Sequence, residues 1–391
     1  MKSFERFSGT ACASTPCVRL PVAIGALFAL ALPFAAGCGA GQDSAADSEA
    51  AELALDTNRL TISPGVERMR QHKGDTETVA TQTRGLDMKN AYWLGRLAQI
   101  AEKPADEARA DLERLGLKAD ADHFRFFDNT CSDAQAFYIS TASLSAPLVE
   151  NATPYNKATE DFAVLVFRGT EKGNWDDIGT DLELWNRPGV SPLGNAHSGF
   201  NRALKSLWEK PAANCGSFEA LGPFLRAHHQ FNGRGTRPLR RGAELYLAGH
   251  SLGGAMATLA LAKTATEQCE KEGLWQEDKC FLEYTPVSAL VTFGTPRVGD
   301  RSLGSTLATW MTDRTPIYRF VHGQDMVSTL PKVFGWYHPG YDGKEDTFKV
   351  VIGDSPLRMF VSQEGDRGNG SKIEDHRIKN YIPVLAKLAA R

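Results

Sequence analysis

The sequence predicts an α/β protein built on a mostly parallel central sheet with helices on both faces. Two observations carry that expectation. From Cys131 onward, short apolar runs of strand length alternate with longer helical stretches. In addition, Gly249-His250-Ser251-Leu252-Gly253 joins one of those runs directly to an Ala- and Leu-rich stretch without proline. Hydrophobic residues make up 42% of the 391, enough for a large core. With 44 Lys+Arg against 47 Asp+Glu, the net charge of −3 gives no electrostatic case for nucleic-acid binding.

The N-terminus reads as an export signal. Lys2, Arg6 and Arg19 precede an apolar run from Leu20 to Ala36, interrupted by Pro21 and Pro33. The run ends Ala35-Ala36-Gly37-Cys38 and resembles a bacterial lipoprotein box, in which lipid is attached to the cysteine after cleavage before it. Ala35 stands where that box usually has leucine. Ordinary signal cleavage and an uncleaved membrane anchor are the other readings. The expected division is residues 1–37 as the signal, 38–83 as a polar tether and 84–391 as one folded domain. Gly39 to Asp56 is too rich in Ala, Asp, Glu, Ser and Gly to order itself. Of seven cysteines, Cys12 and Cys17 would leave with the signal. Cys131, Cys215, Cys269 and Cys280 then allow three pairings or four thiols. Cys269 with Cys280 closes the shortest loop and is favoured.

Within the domain, Met88 to Glu102 has helical spacing, with Tyr92, Leu94, Leu97 and Ile100 as apolar members. Pro104 ends it or opens a second helix. Strands are expected at Ala134–Thr141, Asp161–Phe167, Leu245–Ala248, Ala289–Phe293, Ile317–Val321 and Phe348–Ile352. Helices are expected at Arg202–Glu209, Phe218–His228, Leu252–Gln268 and Leu303–Thr312, with a last one anchored by Ile378, Tyr381 and Ile382.

Gly249 to Gly253 has the nucleophile-elbow pattern. A side chain two residues either side of Ser251 would collide with the neighbouring strand or helix, so glycine is needed there. The serine oxygen would stand above the sheet, at a helix N-terminus that favours negative charge. A serine hydroxyl needs a base, and the base an orienting acid. In the α/β-hydrolase fold these follow in the order Ser, Asp or Glu, His. Asp325 lies just beyond a strand end, where functional residues of parallel sheets gather. Asp300, Asp313 and Asp354 read as caps or turns. His376 follows Asp325 after a Gly-rich loop and is the expected base. His338 reads as a structural or pocket residue, and His228 and His229 as surface residues. Two donors should meet the oxyanion: the N–H of Leu252, and Thr170 after an early strand.

These segments together resemble the class 3 lipase family, the fungal triacylglycerol-lipase type of the α/β-hydrolase fold. Phe167-Arg168-Gly169-Thr170 matches its oxyanion strand and His197-Ser198-Gly199-Phe200 the start of a core helix. Gly249 to Ala255 matches the elbow, and Thr292 to Gly299 the segment after the next strand. Asp325 with Leu330-Pro331 matches the acid loop, and Asp375-His376 the histidine segment. The resemblance covers Ala134 to Pro383. His322 and Ser328 depart from it, standing where the family usually has asparagine and proline.

The resemblance implies a hydrolase of carboxylic esters of lipids, acting through an acyl-enzyme. Phospholipase or short-chain esterase activity is the nearest alternative, and an inactive lipid-binding scaffold the alternative of another class. It also implies a lid where Trp175, Ile178, Leu182 and Trp185 fall at helical spacing; an ordinary amphipathic core helix has the same pattern. No metal or organic cofactor is called for. The expected partners are a lipid or ester substrate and, through Cys38, a membrane surface.

Overall fold

The computed structural model describes residues 56–62, 87–146, 161–169, 188–191, 194–216, 218–229, 243–272, 287–311, 315–331, 336–338, 349–351, 357–361 and 372–390. The chain divides into Met1–Ala50 and Ala51–Arg391, and every described residue lies in the second unit. The expected export signal, Cys38, Thr170, Cys280 and the stripe Trp175, Ile178, Leu182, Trp185 lie outside the described residues.

Ten strands are described: β1 (Phe124–Asn129), β2 (Ala134–Ser140), β3 (Asp161–Phe167), β4 (Pro188–Ser191), β5 (Gly194–His197), β6 (Ala243–His250), β7 (Val287–Phe293), β8 (Ile317–His322), β9 (Lys349–Val351) and β10 (Leu357–Val361). Eight form one sheet in the order β1-β2-β3-β6-β7-β8-β10-β9, and β4 with β5 forms a separate hairpin. The central four, β3, β6, β7 and β8, are parallel. The pairings at both edges are antiparallel. This is the expected parallel core, with antiparallel edges that the alternation of strand and helix did not signal. Every residue of β6 and β7 is buried, as strands covered on both faces must be.

Side-chain alternation then divides the core in two. Ala163, Leu165, Phe167, Leu245, Leu247 and Leu290 face one side. They pack with buried residues of helices α3 (Ser198–Trp208), α4 (Leu221–His228), α5 (Leu252–Glu272) and α6 (Arg301–Met311). Phe162, Val164, Val166, Tyr246, Ala248, Val291 and Phe293 face the other. There they meet α1 (Met88–Ile100), α2 (Ala105–Arg114) and α7 (Ile378–Ala389). Helices cover both faces, and with the elbow between β6 and α5 this is the α/β-hydrolase architecture.

Some expectations change. Helix α1 is buried almost all round, Asn90 and Trp93 included, because it lies between the sheet and α7. Pro104 occupies the N-cap of α2, so it opens a helix. Strand β1 was not expected: Arg125 and Asp128 interrupt its apolar run, as an edge strand tolerates. His229 is not a surface residue. It is buried, and its Nε2 lies 3.0 Å from the Tyr138 hydroxyl. Leu60 and Ile62, in the stretch expected as tether, are buried in the second core, and the Leu60 N–H bonds to the Leu115 carbonyl at 2.9 Å. Cys131 is bonded to Cys215, which ties the β1–β2 turn to the segment after α3. Of the three pairings this is the one compatible with Cys269–Cys280.

Candidate active site

The site begins where β6 gives way to α5. Ser251 adopts φ 56°, a left-handed conformation that costs a non-glycine residue and is a mark of strained functional turns. Its N–H bonds to the Phe293 carbonyl of β7 at 3.0 Å, and its carbonyl accepts from the Gly254 N–H at 3.0 Å. The turn is too tight for side chains on either side. A Cβ at Gly249 would lie 2.4 Å from the Gly253 carbonyl, and one at Gly253 would lie 2.1 Å from the Phe167 carbonyl oxygen. These are the helix and strand collisions that the motif avoids.

The end of β3 runs beside the elbow. Phe167 is in register with Gly249, and a Cβ on Gly169 would lie 3.5 Å from the Ser251 Cβ. The segment leading to Thr170 therefore reaches the serine. Arg168 holds this strand end, with its Nη2 2.7 Å from Asp133 Oδ1 and its N–H 3.0 Å from the Gln135 carbonyl. Leu252, the other expected donor, is the first residue of α5, so its N–H belongs to the first turn of the helix.

Asp325 and His376 meet on the other side. His376 Nδ1 lies 3.0 Å from both Asp325 carboxylate oxygens, and both side chains are fully buried. Oδ1 also accepts from the Val327 N–H at 2.9 Å, and Oδ2 from the Tyr381 hydroxyl at 2.5 Å. Burial, the largest influence on Asp325, acts to raise its pKa. The charge and hydrogen bond of His376 and the bond from Tyr381 outweigh it, so the carboxyl is held below its ordinary value. Burial also dominates at His376, where it lowers the imidazole pKa against the opposing pull of Asp325. The pair is thus a carboxylate beside a neutral imidazole, whose Nδ1 proton faces the acid. A general base needs that state.

The loops bearing the two groups are stitched to each other. Asp325 and Lys372 form a parallel bridge. The Lys372 N–H bonds to the Gln324 carbonyl at 2.9 Å, and Asp375 Oδ2 accepts from the Gln324 N–H at 2.7 Å. The His376 ring stacks on His250 at 4.6 Å between centroids, and His250 Nε2 lies 2.6 Å from the His376 carbonyl oxygen. The residue before the serine therefore touches the histidine segment directly.

The departures at the acid loop find places. Ser328 Oγ donates to the Asp325 carbonyl at 2.8 Å, and the His322 ring lies 5.4 Å from that of Tyr381. His338 is buried with Nε2 2.7 Å from the Ser328 carbonyl oxygen; burial, then the Arg319 and Arg297 charges, hold its pKa well below the ordinary value. His197 occupies the N-cap position of α3 and packs its ring 4.2 Å from that of Phe200. Three contacts at the site escaped sequence reading: Tyr381 on the acid, His250 on the histidine segment and Glu102 on His250. Tyr381 lies five residues after His376 and could have been found by asking what buried donor the acid needs. Glu102, 148 residues before His250, carries no local signal.

Residues 164–335 match the family model described as Lipase (class 3). A secreted mono- and diacylglycerol lipase of Fusarium solani is 33% identical over 144 residues, which cover 36% of this chain and 32% of that protein. The match thus spans about a third of the length of the curated relative. Both are likenesses of part of this chain to lipases. Among solved structures, a fungal lipase–inhibitor complex is similar over 78% of this chain and 97% of its own, with a TM-score of 0.45 and 17% identity. Lipase II from Rhizopus niveus is similar over 77% of this chain and 94% of its own, with a TM-score of 0.42 and 19% identity.

Proposed function

We propose that the protein is a serine hydrolase of carboxylic esters of lipids. The observation that carries this reading is the elbow serine, at φ 56°, beside a buried carboxylate–imidazole pair. Ser251 Oγ attacks the ester carbonyl carbon as its proton passes to His376 Nε2. Asp325 keeps the Nδ1 proton facing itself and stabilises the imidazolium that forms. The tetrahedral oxyanion is met by the Leu252 N–H and by Thr170. Collapse breaks the ester C–O bond, and His376 returns its proton to the departing alcohol. Water then repeats the sequence on the acyl-enzyme, releasing the acid.

The substrate class is supported by the class 3 lipase match and by the acylglycerol lipase relative. The stripe Trp175, Ile178, Leu182, Trp185 is assigned to a lid, because it directly follows the strand end that reaches Ser251. The chain is read as exported, like its secreted relative, with residues 1–37 as signal, a polar tether beginning at Cys38 and a hydrolase domain whose core takes in Leu60 and Ile62 ahead of residues 84–391. Cys38 is assigned the lipid anchor; among the described residues no helix is long and apolar enough to cross a membrane. A mature N-terminus other than Cys38, without lipid mass, would remove the anchor and leave a secreted enzyme.

A fluorophosphonate probe tests the central reading. The expected result is covalent labelling of the wild type and none of Ser251→Ala. A folded wild type that resists labelling would sink the enzyme reading and leave the inactive scaffold as the rival.

A further inference from the structure

Among the buried titratable side chains that the mechanism above leaves unused, His250 lies nearest the reacting groups in sequence, directly before Ser251. His250 is only 2% exposed and sits between the turn after α1 and the histidine segment. Its Nδ1 lies 3.1 Å from Glu102 Oε1, and its Nε2 lies 2.6 Å from the His376 carbonyl oxygen. Its ring stacks on that of His376 at 4.6 Å and meets Tyr381 edge-on at 6.1 Å.

The geometry points to Glu102 and His250 as positioning residues that clamp the base segment to the nucleophile elbow, an inference that rests on the hydrolase reading. The proton count is decisive. A backbone carbonyl can only accept, so His250 Nε2 must carry a proton. Nδ1 faces a carboxyl group, so a second proton lies between Nδ1 and Oε1. Glu102 thereby fixes the orientation in which Nε2–H reaches His376. Without it, Nδ1 has no carboxyl partner, and the ring is held against rotation by the His376 carbonyl alone.

The clamp acts on His376 at a point other than the one Asp325 holds. Asp325 holds the ring at Nδ1, the Ile373 carbonyl holds the main-chain N–H at 3.0 Å, and His250 holds the main-chain carbonyl. Because His250 precedes Ser251 directly, the distance between nucleophile and base is set through one residue. Glu102 stands on a firm body: α1 packs on the sheet and on α7, and the Glu102 N–H bonds to the Gln99 carbonyl at 3.3 Å.

Two measurements test this. In wild type carrying nitrogen-labelled histidine, two-bond proton–nitrogen correlation spectra should show a proton on His250 Nε2. A bare Nε2 overturns the clamp, whatever any variant does. In kinetics, Glu102→Ala should lower kcat on a dissolved short-chain ester, and the rate of fluorophosphonate labelling, on the order of 10- to 100-fold. KM and Tm should stay near wild type. Glu102→Gln should recover most of the rate, since its amide can donate to Nδ1 and leave Nε2–H in place. Ala and Gln variants of equal activity would overturn the role, as would losses that track Tm or appear in KM alone. A wild type that is never labelled overturns the hydrolase reading, and this role with it.

Discussion

Replacing Gly294 by alanine tests how closely the acid and base are fitted to the end of β7. Gly294 has φ +57°, and a Cβ there would lie 2.6 Å from Asp325 Oδ2, 2.8 Å from His376 Nδ1 and 3.0 Å from His376 Cε1. Ordinary contact begins at 3.4 Å, so the shortest approach is too close by about 0.8 Å (3.4 less 2.6). The carboxylate cannot retreat easily without lengthening its bonds from the Val327 N–H and the Tyr381 hydroxyl. The methyl must therefore part the pair or tilt the imidazole. A displacement approaching 1 Å at a catalytic group costs on the order of 100-fold in rate. The left-handed backbone adds about 1–2 kcal/mol of lost stability. Gly116→Ala separates the two effects. Gly116 has φ +82°, but a Cβ there would meet nothing nearer than Arg59 Cγ at 3.8 Å. The assay is kcat on a dissolved short-chain ester, with thermal unfolding of both variants. Gly294→Ala should lose both stability and turnover, whereas Gly116→Ala should lose stability alone. If folded Gly294→Ala turns over at the wild-type rate, the argument from close packing fails.

Asp325→Ala and His376→Ala should each lower ester turnover by orders of magnitude, and the double variant should be little worse than either, since the groups act as a unit; additive losses would refute that. Tyr381→Phe should cost about 1.5–3 kcal/mol at pH 7, since it removes a buried donor from a carboxylate. The sign of its pH dependence is fixed by the lowered Asp325 pKa. Stability from that group is present above the ordinary value of 3.8 and is lost as pH falls through the lower folded value. The Tyr381→Phe penalty should therefore shrink below that range, and urea unfolding that gives the same penalty at every pH would contradict it. His376 acts in the same direction: the unfolded chain takes up a proton near 6.5 that the folded imidazole resists, so stability declines as pH falls from there. Trp185→Asp should reduce activity on micellar long-chain esters more than on a dissolved short-chain ester; equal effects on both would remove the lid.

Much of this arrangement is legible in the sequence because it is local. The elbow needs glycine at two fixed offsets, and a buried central strand must be apolar at consecutive positions, as β6 is. Chain order then restricts the acid and base to a few residues after Ser251. What escapes is set by partners far away in sequence. Strand β10 carries Arg358 within Leu357–Val361 and pairs only through β8 and β9. Helix α1 looks half-polar until α7 covers its other side. His229 looks like a surface histidine until Tyr138, 91 residues earlier, supplies a partner. Glu102 is invisible for the same reason. A contact spanning 148 residues leaves no periodicity at either end.

The stitching of the acid loop to the histidine segment separates chemistry from chain path. Asp325 and His376 are 51 residues apart in sequence, yet the bonds that align them join Gln324 to Lys372 and Asp375. Alignment is decided within these short stretches and owes nothing to the length of the chain that links them. Insertions and deletions between those stretches can therefore accumulate without disturbing the acid–base geometry, provided they leave β8 and its neighbours paired. A lineage could reshape that part of the molecule for new surroundings while the reaction centre stays as it is.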